Sequence, residues 1–329
     1  MNRIIIFLSC LWITTAFKNA QAQQFAWGIN GHPFTQEAYK KSTWEDQIAF
    51  IKDLNLSHYR FDVILTQDGL VHNHQLFSGF LEKLKAKGIV AMPVLSPRTK
   101  KMVGDSSTVY QTYFSQGEAF AKKYGRFFDV IEVGNEWDVL LMKKNASVDG
   151  TKPQHYDLDE AKKRMWLLSG FIDGFKSVKK IKVSLSLTWT HWYYLELLEQ
   201  YNIDYDIIGY HWYSNMGDIL NARKPYGNIL SKVEEKFGKE IWITEFNTHL
   251  GARKSSLERQ QTYVETTIQR LIKQGIVKGI FIYELFDQPA LAKRYPSEVN
   301  FGLIYKEDSS YRKRPVYYAY QSLINSSGK

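Results

Sequence analysis

Residues 129–138 read DVIEVGNEWD, and the fold turns on that stretch. Its first half is an apolar, β-branched run of strand length. Its second half sets an amide, a carboxylate, an indole and a second carboxylate in a row. A near-continuous apolar run, rather than a clean alternation, marks a strand of a parallel sheet covered by helices. Asn135, Glu136, Trp137 and Asp138 then stand at the strand's carboxyl end.

Working outward, the same pattern recurs. Strand candidates are FAWGIN (25–30), SHYRFDV (57–63), IVAMPVLS (89–96), DVIEVGN (129–135), IKVSLSLTW (181–189), DIIGYHWY (206–213), IWITEF (241–246) and GIFIYEL (279–285). Helical spacing fills the intervals at 44–54, 75–88, 112–125, 159–178, 193–201, 227–238 and 261–275, and again at 316–325. Gly88, Gly125, Gly238 and Gly275 stand where helices would stop just before the next strand. Eight strand–helix units read as an α/β fold, a single-domain (β/α)8 TIM barrel over residues 23–329. A doubly wound open sheet would carry a Gly-rich phosphate loop after its first strand, and GINGHPF (28–34) lacks that spacing.

The first 22 residues stand apart. Arg3, the apolar run IIIFLSCLWITTAF and Ala20-Gln21-Ala22 form the three parts of a secretory signal peptide, so a secreted or periplasmic location is expected. The run is too short for a comfortable membrane span, and no later segment approaches the roughly 20 apolar residues a span needs. Cys10, the one cysteine, lies in this leader in mid-run, a weak setting for a lipid anchor, so a mature chain has neither disulfides nor cysteine metal sites. The formal charge of +9 drops to +7 without Arg3 and Lys18. Such a balance fits either an acidic partner or plain solubility.

A barrel of this kind carries its active site at the carboxyl ends of its strands. Those ends hold Asn30 and His32, Arg60 and Asp62, Asn135 and Glu136, Trp189 and His191, His211 and Tyr213, and Glu245 and Asn247, with Tyr283, Glu284 and Asp287 after the last strand. Carboxylates from the fourth and seventh strands would face each other across the mouth, ringed by aromatics, amides and imidazoles. Glycoside hydrolysis needs this set: an acid for the leaving oxygen, a carboxylate for the anomeric carbon. Indole and phenol faces offer platforms for sugar rings.

NE at 135–136, HWY at 211–213 and TEF at 244–246 resemble the retaining glycoside hydrolases built on (β/α)8 barrels, known as clan A. FIYELFDQPA, NFGLIY and RPVYYAY near the C-terminus are similar to the last strand and closing helix of family 39-like members. The resemblance covers nearly the whole chain after the leader. It implies Glu136 as general acid/base and Glu245 as nucleophile in a double displacement. Asn135 would bind the sugar's 2-hydroxyl, Arg60 and Tyr213 would hold Glu245 ionised, and His211 would line the same wall. His32, Trp189, Tyr283 and Glu284 complete the expected substrate contacts. Tyr283-Glu284 stands where many clan members have tryptophan, so the resemblance does not carry the xylosidases' substrate over to this chain.

Each residue also has a plainer reading. A lone glutamate pairs with an arginine more often than it catalyses, and Arg60 could be that partner; His32 and His191 could be satisfied wall residues. The eight histidines show no HExxH or similar spacing, so neither a metal nor another cofactor is expected. Arg98, Lys100, Lys101, Lys143, Lys144, Arg253, Lys254, Lys293 and Arg294 all follow strand ends. They suit an acidic polysaccharide or oligosaccharide, or else are solvated loop charges. Endo-action is favoured over exo-action. No nucleic-acid partner or membrane insertion is expected, and the chain should be a monomer. The rivals are a carbohydrate-binding barrel without turnover, a nucleic-acid-binding protein and a transglycosylase on the same residues.

Overall fold

The computed structural model describes residues 25–144, 148–222, 224–253 and 256–327. The expected signal peptide with Cys10, and Lys254, lie outside the described residues. Eight parallel strands close a barrel in sequence order: β1 (Ala26–Gly31), β2 (His58–Ile64), β3 (Val90–Ser96), β4 (Val130–Val133), β5 (Lys182–Thr188), β6 (Ile207–Tyr213), β7 (Glu240–Asn247) and β8 (Val277–Ile282). The last strand pairs with the first through Ala26–Ile29 and Gly279–Ile282. This is the (β/α)8 barrel the strand pattern predicts. Its strands are largely apolar because both faces are covered, by the barrel interior and by helices.

The helices are α1 (Glu37–Lys40), α2 (Trp44–Asp53), α3 (His74–Ala86), α4 (Ser106–Tyr124), α5 (Trp137–Leu141), α6 (Leu158–Lys176), α7 (Tyr193–Gln200), α8 (Ile229–Phe237), α9 (Leu257–Gln274) and α10 (Pro315–Ser327). Most of their starts are capped by side chains. Thr43 and Asp46 form a reciprocal capping box on α2, while Asp105, Asp157 and Ser256 accept from the first turns of α4, α6 and α9. Asp105 explains why α4 begins six residues before the apolar periodicity does. Gly238 and Gly275 end their helices in the left-handed region as expected. Gly125 does not: its φ is −52°, and α4 runs on into a 3-10 turn at Gly125–Phe127.

Inside the barrel, Ala26, Met92, Val130, Ile207, Trp242 and Phe281 form an apolar floor. Above it the interior changes character, because Arg60 and Glu132 are both buried there. The segment after β8 is not a bare loop. It makes 3-10 turns at Pro289–Leu291 and Pro296–Glu298, then a hairpin of β9 (Ile304–Glu307) and β10 (Ser310–Lys313). Both carboxylate oxygens of Asp287 take the Arg314 guanidinium, at 2.7 and 2.6 Å, pinning the segment's two ends together. Asp287 is thus a structural ion-pair partner and not a group of the barrel mouth. The Tyr320 hydroxyl of α10 lies 2.8 Å from the Gly28 carbonyl and 3.0 Å from that of Ile280, across the β1–β8 seam.

Candidate active site

The strand ends converge on one cavity of about 590 Å³. Asn135 and Glu136 reach it through the turn after β4. Gly134 has φ +76°, and a Cβ there would meet the Trp137 ring at 2.6 Å, so this turn requires glycine. Glu136 itself takes the left-handed region at φ +47°, an uncommon state for a residue with a side chain. Its backbone N–H donates to Ser186 Oγ at 3.1 Å. Trp137 and Asp138 turn away from the mouth and are buried. The Arg164 guanidinium lies over the Trp137 ring. Asp138 accepts the Thr188 backbone N–H at 2.9 Å and faces His191 Nδ1 at 2.6 Å. The unusual run after β4 therefore divides, with two residues for the cavity and two for its support.

Glu245 reaches the cavity through a break in pairing. Tyr210 pairs with Ile243 but His211 pairs with Glu245, so Thr244 is an extra residue on β7. Strand alternation turns Trp242 and Thr244 inward and would turn Glu245 out; the bulge re-aims it. Room for this comes from Gly209, where a Cβ would lie 2.8 Å from both Ser184 Oγ and Thr244 Oγ1.

Arg60 is the hub. Its guanidinium donates to Glu132 Oε1 at 2.6 Å, Glu132 Oε2 at 3.2 Å, Glu245 Oε1 at 2.9 Å, Asn30 Oδ1 at 2.6 Å and Asn135 Oδ1 at 2.8 Å. Burial opposes its charge, but Glu132 and Glu245 together raise its pKa above the ordinary arginine value. Arg60 is thus a buried ion-pair partner, and one of its partners is Glu245. The Tyr213 hydroxyl donates to the other oxygen, Glu245 Oε2, at 2.7 Å. Glu245 is thus held on both oxygens by hydrogen-bond donors, one of them the Arg60 cation.

His211 joins the two carboxylates. Its Nδ1 lies 2.9 Å from Glu136 Oε1 and 3.6 Å from Glu245 Oε2. An Arg60 N–H faces its Nε2 at 3.3 Å, so in the neutral ring the proton belongs on Nδ1, directed at Glu136. Burial lowers the pKa of this ring, yet Glu245 and Glu136 outweigh that and lift it above the usual histidine value. Side-chain donor atoms of Glu136, His211 and Glu245 lie within 4.8 Å of one another. A guanidinium at 2.9 Å already compensates Glu245, so this trio is a poor cradle for a cation.

His32 and Tyr283 also line the cavity, as expected. His32 Nδ1 sits 2.7 Å from Asp62, and burial, which would depress its pKa, is overcome by Asp62, Glu284 and Glu245, giving about 9. Glu284 needs correction as a substrate contact. It is fully buried behind His32, accepting from Tyr39 and Gln288 at 2.8 Å each. Burial pushes its pKa up to about 8. Both groups hold protons more tightly in the folded chain, so stability falls as pH rises. The Glu284 share is lost between about pH 4.5 and 8, and the His32 share between about 6.5 and 9. Thermal melts at pH 5 and 9 should show a smaller drop for Glu284→Gln than for the wild type; equal drops would contradict the assignment.

Trp189 stands apart from the central cavity. It lines an adjoining cavity of about 570 Å³ with Thr188, His191, Ala222 and Tyr226, separated from the first by Asn215 and Met216, which line both. Its φ of +49° is strained for so bulky a residue. His191, already satisfied by Asp138, lines this second space too.

Sequence reasoning missed Glu132 and Glu298. Glu132 had a signal, a carboxylate inside an apolar strand. Glu298 had none, because only the folded segment after β8 brings it to the cavity. Of the basic residues read as facing the site, the described ones do not line its cavity. Arg98, Lys101 and Arg253 donate to the backbone carbonyls of Leu65, Gln67 and Pro296, and among the described residues none of the nominated lysines and arginines lines the central cavity. Among the described residues, too, no helix is long and apolar enough to cross a membrane.

Residues 172–299 match the family model described as Glycosyl hydrolase catalytic core. No curated protein matches the chain. Among solved structures, a β-glucosidase from Thermotoga maritima in complex with glucoimidazole superimposes with a TM-score of 0.66 at 13% identity, covering 93% of this chain and 99% of that one. The family 1 β-glucosidase of the same organism with isofagomine lactam gives 0.67 at 13%, covering 93% and 98%. Fpglu1 from Fervidobacterium pennivoraus gives 0.69 at 14%, covering 92% and 96%. At such identities these structures speak for the barrel, and the matched catalytic core speaks for the chemistry. On that match and this barrel, the chain is a glycoside hydrolase.

Proposed function

We propose that the chain is a retaining β-glycoside hydrolase of clan A, exported from the cell, that cleaves within a polysaccharide or oligosaccharide. The observation that carries this reading is the facing of Glu136 and Glu245, with donor oxygens within 4.8 Å of one another. So close an approach of carboxylate oxygens is nearer to the retaining class, with carboxyl groups roughly 5–5.5 Å apart, than to the inverting class, at roughly 6.5–9.5 Å, which leaves room for a water. The β-glucosidases among the structural neighbours and the family 39-like motifs support a β-linked substrate. Assignment to family 39 itself rests on those motifs alone.

In the mechanism, Glu245 attacks the anomeric carbon while Glu136 gives its proton to the leaving oxygen. The glycosidic bond breaks and a glycosyl ester to Glu245 forms. Glu136, now a carboxylate held by His211 Nδ1, takes a proton from water. That water attacks the anomeric carbon and frees Glu245, whose returning charge Arg60 and Tyr213 receive. Asn135 has its oxygen committed to Arg60, which leaves its NH₂ for a sugar hydroxyl oxygen.

The two cavities support internal cleavage. The deep wall of the first comes from β1, β2 and the segment after β8, whereas the second lies beyond β5 and β6, the side on which His211 holds Glu136. A leaving group must extend from the acid's side, so Trp189 and Tyr226 would receive it. Export rests on the N-terminal signal-like composition. The test is to digest β-linked oligosaccharides and follow the first-formed anomer by proton NMR. A β-anomer with products of intermediate length is expected. An α-anomer would overturn retention, and single sugars released from one end would overturn internal cleavage.

A further inference from the structure

We infer that the sugar seated in the deep end of the catalytic cavity is uncharged, and that Glu298 with Asp62 enforces this by rejecting a carboxylated sugar. The inference rests on the hydrolase reading above and names its substrate class. The basic chain and its loop lysines invite the opposite expectation, an acidic sugar. The cavity walls decide otherwise.

Asp62, Glu298, Glu136 and Glu245 all line the cavity, and Glu132 lies just beneath. The cations that face them are already engaged. Arg60 is enclosed by Glu132 and Glu245, and His32 Nδ1 is held by Asp62 with Glu284 3.5 Å from its Nε2. Grant charge to Arg60, His32 and His211, and protonate both Glu136 and Glu284. The remaining carboxylates, Glu132, Glu245, Asp62 and Glu298, still outnumber the cations. His249 stands exposed at the rim.

Glu298 is the group with most freedom to meet a ligand. It is half-buried, with the Tyr283 hydroxyl and Ser297 Oγ each at 3.3 Å, both long for a charged acceptor. Among the described residues it makes no ion pair, and burial, joined by the nearby Glu245 charge, pushes its pKa up against the Tyr283 hydrogen bond and the more distant His32 charge. A carboxylate in that state gains by accepting sugar hydroxyl donors. A second carboxylate brought beside it, on the substrate, would meet like charge in a half-enclosed space.

The test uses β-linked gluco-, manno- and galacto-oligosaccharides and the same oligosaccharides with C6 oxidised to the carboxylate. Turnover is measured with the full wild-type chain, Glu298→Gln and Asp62→Asn, and binding with Glu136→Gln. For the backbone that is cleaved, kcat/KM should favour the neutral form by about 100-fold, since like charges set together exclude wrong partners strongly. Glu298→Gln should lower kcat/KM on the neutral form yet shrink the discrimination by about tenfold, a split that misfolding does not produce. Asp62→Asn should shrink it in the same direction and keeps the proposal testable if Glu298→Gln folds poorly. Equal or better turnover of oxidised chains by the wild type overturns the proposal while leaving the hydrolase reading intact. So does discrimination unchanged in both variants. If no member of either series is bound or cleaved, the hydrolase reading fails and this inference fails with it.

Discussion

Glu245→Gln is expected to abolish turnover, lowering kcat on the order of 10⁴-fold or more, because no other group can form the covalent bond to the anomeric carbon. The substitution keeps shape and volume, and Arg60 and Tyr213 remain, so the fold should persist. The informative companion is Glu245→Ala with added azide. Azide entering the vacated space would attack the anomeric carbon from the nucleophile's face and expel the leaving group, giving an α-glycosyl azide from a β-glycoside. Glu136→Gln should behave differently. It should lose roughly 10²–10⁴-fold on ordinary sugar leaving groups and much less on an activated aryl leaving group that needs no proton. Product analysis on the three variants distinguishes the roles. Full activity in Glu245→Gln would remove it as nucleophile, and an azide adduct from Glu136→Gln with inverted configuration would exchange the two assignments.

Arg60→Met should produce the second large effect, on stability as well as rate. Arg60 is 3% exposed, and its guanidinium donates hydrogen bonds to two carboxylates, Glu132 and Glu245. Removing it strands both, and breaking a buried pair in this way costs about 3–5 kcal/mol. Arg60→Lys should recover little, since one ammonium cannot reproduce a planar fork that spans Glu132, Glu245, Asn30 and Asn135. The double variant Arg60→Met with Glu132→Gln should recover part of the stability but not the activity, because Glu132 no longer needs a cation whereas Glu245 still does. Urea denaturation and kcat together read this out. A loss of less than about 1 kcal/mol in Arg60→Met would mean that the cluster is not the buried, mutually dependent unit described.

The order of strands and helices was legible because burial on both faces leaves a plain signature in a chain, an apolar run of strand length between amphipathic stretches. The barrel, the two catalytic candidates and the clustering of Asn135, His211, Tyr213, Arg60, His32 and Tyr283 about one cavity follow from placing polar residues at strand ends. That rule works because parallel strands in a barrel all finish at the same face. It fails where the backbone leaves regular geometry. Trp189, in the left-handed region after β5, goes to the neighbouring cavity, and Glu284 turns back against Tyr39.

What the sequence by itself determined was therefore a set of elements and a list of chemistry-bearing ends. Only the tertiary structure decided which of those ends meet. Glu132, Arg60 and Glu245 lie 72 and 185 residues apart in the pairs they form, and no local pattern encodes a contact at that range. The bulge at Thr244 that aims Glu245 inward is a property of the β6–β7 register, which exists only between two strands. Cavity charge is decided in the same way: lysines and arginines add to a net positive chain wherever they stand. The field at the reacting sugar depends instead on the few carboxylates and cations that folding brings within reach of one another.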